Sequence, residues 1–267
     1  MTALEAAIGY PPARVSRRVP LARVTQVELR KMFDTRSGFW LIASIAITSL
    51  LAAGGVILWA PDDELTYSTF ATAIRFPVVV ILPLIAILAV TSEWSQRTGL
   101  TTFTLIPHRS RIITAKAISA VLIAVAAMGL TFAVGALGNL LSAAVTGTDL
   151  VWDVTLTQCL YYVLGMVLSL LIGFMLGVLI RSSTGAIVAY FVLTFVLPTI
   201  SGLLADSQAW FRDLQPWIDI QFAQSGLFIF DQALTGEQWA NIAVTGVTWL
   251  LVPLLVGLGF VMRAEVK

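Results

Sequence analysis

The chain has 267 residues, of which 58% are hydrophobic and only 12% charged, with a mean hydropathy of +0.91 and a formal net charge of +1. Soluble domains carry about 25% charged residues, so this composition excludes an ordinary soluble fold and marks an integral membrane protein. The near-neutral balance also speaks against a basic nucleic-acid-binding surface.

Residues 1–37 form a polar and basic leader that ends in an amphipathic segment. Pro11, Pro12 and Pro20 break the leader, after which Leu21 to Arg36 is expected to be helical. Arg23, Gln26, Arg30 and Asp34 recur at helical spacing and share a face, with Leu21, Val24, Leu29, Met32 and Phe33 away from it. Such a helix suits the membrane surface, its basic groups (Arg23, Arg30, Lys31) toward lipid phosphates and its apolar groups in the acyl boundary. A leader this long before the first apolar run is not a cleavable signal, and it is expected to stay in the mature protein.

A helix needs roughly 20 apolar residues to cross the hydrocarbon, and six charge-free runs approach or exceed that length within residues 38–267: Ser37 to Ala60, Phe76 to Ser92, Ala117 to Thr148, Val154 to Ile180, Ser182 to Ala205, and Gln238 to Met262. The second is short unless it begins before Arg75. The third exceeds a bilayer and is expected to end near Asn139. The fold class is therefore an all-α membrane protein of six transmembrane helices.

Positive charge sets the orientation, because cytoplasmic flanks retain Lys and Arg. With the N-terminus inside, all but Arg75 and Arg212 of the sixteen Lys and Arg residues lie in the cytoplasm. Most acids, from Asp62 to Glu237, fall outside. Both termini are thus expected in the cytoplasm. Cys159, the single cysteine, lies in the fourth run and allows no intrachain disulfide. Arg75 and Asn139 are the polar residues expected to reach the apolar zone, as pathway or packing groups, with Arg75 snorkelling outward or pairing with an acid such as Glu64. Gly173 and Gly177 on the fourth run, and Gly135 with Gly138 on the third, read as helix-packing surfaces.

Between runs two and three lies Thr91 to Lys116, a polar loop that opens on Glu93, Trp94, Arg97 and Thr98 and closes on Arg109, Arg111 and Lys116. Glu93 and Arg97 stand at favourable helical spacing, and Trp94 is a typical interface anchor; the segment reads as a short docking helix. Ala205 to Trp239, before the last run, is too long for a simple turn. Its Trp217, Ile218, Ile220, Phe222, Leu227 and Phe228 predict short helices dipping into the outer interface.

No chemistry of its own is expected of the chain. None of its lysines follows the glycine of a P-loop, His108 is the only histidine, and the six apolar runs hold no carboxylate relay. No metal site, catalytic residue or cofactor is expected.

The amphipathic segment with ELRKMFDTRSGFW at Glu28 to Trp40, SEWSQRTGLTTFTLIPHRSRIITAK at Ser92 to Lys116, the six-run layout and the apolar outer stretch together resemble the membrane permeases of bacterial type 2 ABC exporters. The resemblance implies an N-terminal elbow helix containing Arg23, Arg30, Lys31 and Asp34. It also implies a cytoplasmic coupling helix after span two, with Glu93, Trp94, Arg97 and Thr98 at the contact with a separate ABC ATPase that binds ATP and Mg. It further implies two ATPase copies, a second permease copy or a related permease, and location in the bacterial inner membrane. The implied function is export of an amphiphilic or hydrophobic compound, such as a drug, antibiotic or lipid. A second reading is a non-transporting scaffold or sensor that recruits a cytoplasmic partner through residues 91–116.

Overall fold

A computed structural model describes residues 20–34, 36–95, 109–230 and 233–263. Six helices within them are long and apolar enough to cross a membrane: Gly38–Trp59, Tyr67–Ser92, Ser110–Thr146, Leu156–Ile180, Ser183–Ser207 and Gly236–Arg263, here spans one to six. This is the architecture of a multi-pass membrane protein. The amphipathic helix α1, Leu21–Asp34, precedes them.

Two expected boundaries differ from the observed ones. Span two begins at Tyr67, so Arg75 lies well inside a helix that runs to Ser95. Span three does not end near Asn139 but continues to Thr146, within one helix from Arg109. Nothing in the residues after Asn139 breaks a helix until Gly147, whose φ of +74° suits glycine. The polar segment between spans two and three is correspondingly shorter, because Thr91–Ser95 and Arg109–Lys116 are helical.

Spans two and four form the centre. Span four has 61% of its apolar window buried against 11% for span five. Spans one and three pack on span two, and spans five and six on span four, so the outermost helices turn large apolar faces to lipid. Gly173 is the reason spans two and four come so close: a Cβ there would lie 2.7 Å from both Cβ and O of Pro83. Gly177 meets Ile87 and Val90 in the same way. Gly138 likewise accepts the Phe70 ring. These glycines serve packing within the chain.

Pro83 has no N–H, which leaves the carbonyl of Val79 without its helical donor. In hydrocarbon such a carbonyl needs a replacement, and the Tyr190 hydroxyl donates to it at 2.6 Å from span five. Tyr190→Phe should therefore lower stability by about 1 kcal/mol, read as an earlier thermal transition in detergent; an unchanged transition would mean that water or a shifted backbone already serves that carbonyl.

Pro198 and Pro253 are handled differently. Each follows a π-helical turn, Val192–Val196 in span five and Val247–Leu251 in span six, in which Leu197 donates to Val192 O and Val252 to Val247 O. The wider turn is a common way to relieve a proline within a helix. Hydroxyls in span one satisfy themselves locally, as when Ser49 donates to Ile45 O at 2.6 Å.

Two sets of contacts define the ends of the bundle. At one, α1 meets spans two and three through Glu28, Ala89 and Lys116. At the other, Ser68 meets Asp153, and Phe228 meets Gly165 and Arg75. Basic residues gather at the first end and acids at the second, so they are called the basic and acidic ends below.

Candidate functional site

The basic end holds the most highly charged buried arrangement among the described residues. Glu28 projects from α1 and is 5% exposed, although it sits on a helix whose Arg23, Gln26, Arg30 and Asp34 all face solvent. Lys116 Nζ, about two turns into the span-three helix, donates to Glu28 Oε2 at 2.7 Å and to Ala89 O of span two at 2.9 Å. Lys31 Nζ donates to Glu28 Oε1 at 2.6 Å from the rim. Beside them Ser119 Oγ donates to Thr25 O at 3.2 Å. One cluster thus ties α1 to the ends of spans two and three.

Burial pushes the Glu28 carboxyl up, but the charges and hydrogen bonds of Lys116 and Lys31 outweigh it and hold Glu28 below its ordinary value of 4.5. The Glu28 carboxylate therefore stays ionised at neutral pH. It can be buried because every oxygen of the carboxylate has a charged donor.

These helix ends flank residues 96–108. Glu93 and Trp94 lie in the final turn of the span-two helix. Arg97 and Thr98 lie outside the described residues, as does any helix formed between them and His108. Thr91 is fully buried, its hydroxyl 2.8 Å from that of Ser183, which brings the start of span five to the same place. The four residues expected on an elbow helix separate: Lys31 joins Glu28, while Arg23, Arg30 and Asp34 are exposed.

The two intramembrane candidates lie toward the acidic end and do not meet the Glu28 cluster. Arg75 forms no ion pair with Glu64; its guanidinium lies over the Phe228 ring, 5.0 Å from the centroid. Phe228 belongs to the stretch between spans five and six and inserts where Gly165 leaves room, and Tyr162 packs against it edge to face. A cation over an aromatic face is stabilised without a carboxylate. Asn139 is 1% exposed and donates through Nδ2 to Val151 O at 2.9 Å, pinning the extended link between spans three and four. That link in turn caps span two, Asp153 accepting from the Ser68 N–H at 2.8 Å and from its hydroxyl at 2.6 Å.

The stretch between spans five and six folds into the short helices α2, Ala209–Ile218, and α3, Ile220–Ser225, followed by a tight turn, Gly226–Phe228. Trp249 of span six holds it in place by donating to Ile218 O at 2.7 Å.

Sequence reasoning passed over Glu28 because an acid on a polar helix looks solvated. One signal was available: it is the acid that breaks the inward face formed with Val24 and Thr25. Set against known proteins, the sequence matches no family model and no curated protein.

Proposed function

We propose that this chain is the transmembrane subunit of an ATP-driven exporter of the type 2 ABC kind, half of a pathway completed by a second copy or a related permease. In this reading the basic end faces the cytoplasm of a bacterial cell, with both termini inside. A separate ABC ATPase, present in two copies and binding ATP and Mg, docks on the segment after span two through Glu93, Trp94, Arg97 and Thr98. The cargo is an amphiphilic or hydrophobic compound.

The observation that carries the reading is the buried Glu28–Lys116–Ala89 cluster. Force applied between residues 96 and 108 enters spans two and three at their ends, and the cluster makes α1 move with them. An elbow helix rigidly joined to the roots of a docking loop is what a coupling device requires, since an ATPase can shift a two-state pathway only through contacts that differ between its states. The two π-helical turns, in spans five and six, supply places where such a pathway could bend.

The test is co-purification of the full chain with the products of neighbouring genes. A Walker-motif ATPase should accompany the wild-type chain, and Trp94→Ala should weaken its association by about 2 kcal/mol, or ~30-fold. If the wild-type chain captures no ATPase while another cytoplasmic protein binds the same segment, the scaffold reading replaces this one.

A further inference from the structure

We infer that Arg75 is the recognition group of a site for an amphiphilic anion, a phosphate or carboxylate head on an apolar tail, at the acidic end of span two. Arg75 lies about two turns along the helix that starts at Tyr67. Span two has 26 residues, about 39 Å at 1.5 Å each, against a hydrocarbon core of about 30 Å. Side chains on a helix lean toward its N-terminus, here the acidic end, so the long arginine stem carries the guanidinium toward the bilayer boundary at that end. That is the depth at which an amphiphile keeps its charged head while its tail lies in the hydrocarbon.

The state of its nitrogens sets Arg75 apart. A guanidinium has five N–H donors and no acceptor. The Phe228 ring, its centroid 5.0 Å from the central carbon of the guanidinium, steadies the charge but offers the N–H groups no oxygen. Arg75 donates no hydrogen bond and pairs with no carboxylate among the described residues. Yet none of its nitrogens is sealed. Arg75 is partly exposed, and the shielded polar side-chain atoms without a partner belong instead to Asn139, Thr194, Asp219, Gln224 and Asn241. Those five take no ligand, because nothing reaches them; the Arg75 guanidinium is open and unpaired at once.

The helix is open around it as well. Thr72, Arg75 and Phe76 share a face at i, i+3 and i+4, and both neighbours of Arg75 on that face are exposed, Phe76 by 70%. Thr72 lies a turn nearer the acidic end and adds a hydroxyl donor, while Phe76 lies deeper and offers an apolar surface. Head and tail thus have separate places, oxygens against Arg75 and Thr72 and the apolar chain along Phe76. An anion is the ligand that changes most for Arg75, because charge-assisted N–H···O bonds are about twice as strong as neutral ones and a guanidinium makes them in parallel pairs. A cation at membrane depth without a counter-ion is also costly. Arg212, also toward the acidic end, has no such vacancy: its Nε donates to Ala205 O at 3.0 Å and a terminal nitrogen to Asp206 O at 3.3 Å. The anionic head could belong to a phospholipid of the bilayer or to a free amphiphile, since both present paired oxygens. The site does not depend on the export reading, because it would hold such an anion whether or not the chain transports it.

The test uses the full chain purified in a maltoside, an uncharged detergent, with decyl phosphate as the probe and native mass spectrometry to count bound molecules. Decyl phosphate should bind saturably, and decanol, with the same tail and no charge, should bind at least about tenfold more weakly. Arg75→Met keeps an unbranched stem against Phe228 and removes the charge and the donors; it should weaken decyl phosphate binding by about tenfold or more. Should that variant fail to fold, Arg75→Gln makes the same comparison. Arg263→Gln, exposed in the last turn of span six, removes an equal charge at the basic end and should leave binding unchanged. Equal binding by the wild type and the Arg75 variant, or by decyl phosphate and decanol, overturns the proposal, because partitioning into the detergent belt would then explain the signal. An equal loss in Arg263→Gln overturns it too, because overall charge would then suffice. Loss of decyl phosphate binding on adding phosphatidylcholine assigns the site to a phospholipid head, and undiminished binding assigns it to a free amphiphile; either result upholds the anion site.

Discussion

Lys116→Met should cost about 3–5 kcal/mol of stability and free α1 from the bundle. The Lys116 and Glu28 side chains are only 7% and 6% exposed, so removing the ammonium leaves a carboxylate that cannot reach water without local unfolding. Lys31 stays on the rim and compensates in part. The charge-free pair Glu28→Gln with Lys116→Met should recover most of the loss, because two well-packed neutral groups need no counter-charge. The single variant melting earlier than the double one is the signature to look for in nanodisc unfolding curves. If Lys116→Met melts with the wild type, the cluster does not hold α1.

The same cluster gives a pH dependence whose sign is fixed. Glu28 has a lower pKa folded than unfolded, so the unfolded chain binds its proton first as pH falls. Its contribution is fully present above the ordinary value of 4.5 and is lost as pH drops through the lower folded value. Proteolysis around Thr35, between α1 and span one, should accelerate in that acid window, and Glu28→Gln should flatten the response.

All six spans could be read from charge-free runs, the second only in part, because hydrocarbon tolerates so few charges that their absence is itself the signal. The misreadings have a common cause. A polar residue at the edge of an apolar run resembles a boundary, yet Arg75 and Asn139 are each accommodated within their helices by a partner outside the helix, the Phe228 ring and the Val151 carbonyl. Lys116 looked like part of a basic loop for the same reason: its partner Glu28 is 88 residues away. Pro83, Pro198 and Pro253 each interrupt the helical hydrogen-bond ladder wherever they fall, but only the fold shows that Tyr190 serves one of them and π-helical turns the other two. Local pattern thus set the architecture, and long-range pairing set the sites.

The second large effect is expected at Gly173, where span four touches span two backbone to backbone. Even the first carbon of a side chain would sit 2.7 Å from the oxygen of Pro83 and 2.9 Å from its Cα. Neither can rotate away as a flexible side chain would. Gly173→Leu should therefore drive the two central spans apart and cost more than about 3 kcal/mol, at or beyond the usual range for overpacking; Gly173→Ala should be harmful as well. Gly129→Ala is the control, because nothing lies within 4 Å of the Cβ it would add, and it should be neutral or stabilise its helix by about 0.5–1 kcal/mol. The folded, monodisperse fraction on size exclusion separates the two. Span two carries Ala89, which anchors Lys116 at the basic end, and Arg75, which lies over Phe228 toward the acidic end. A displaced span two should thus loosen both ends in one variant: faster proteolysis between α1 and span one and faster hydrogen exchange in the Gly226–Phe228 turn should appear together in Gly173→Leu. Loss at only one end would mean that the spans bend at Pro83 and that the two sites are mechanically separate.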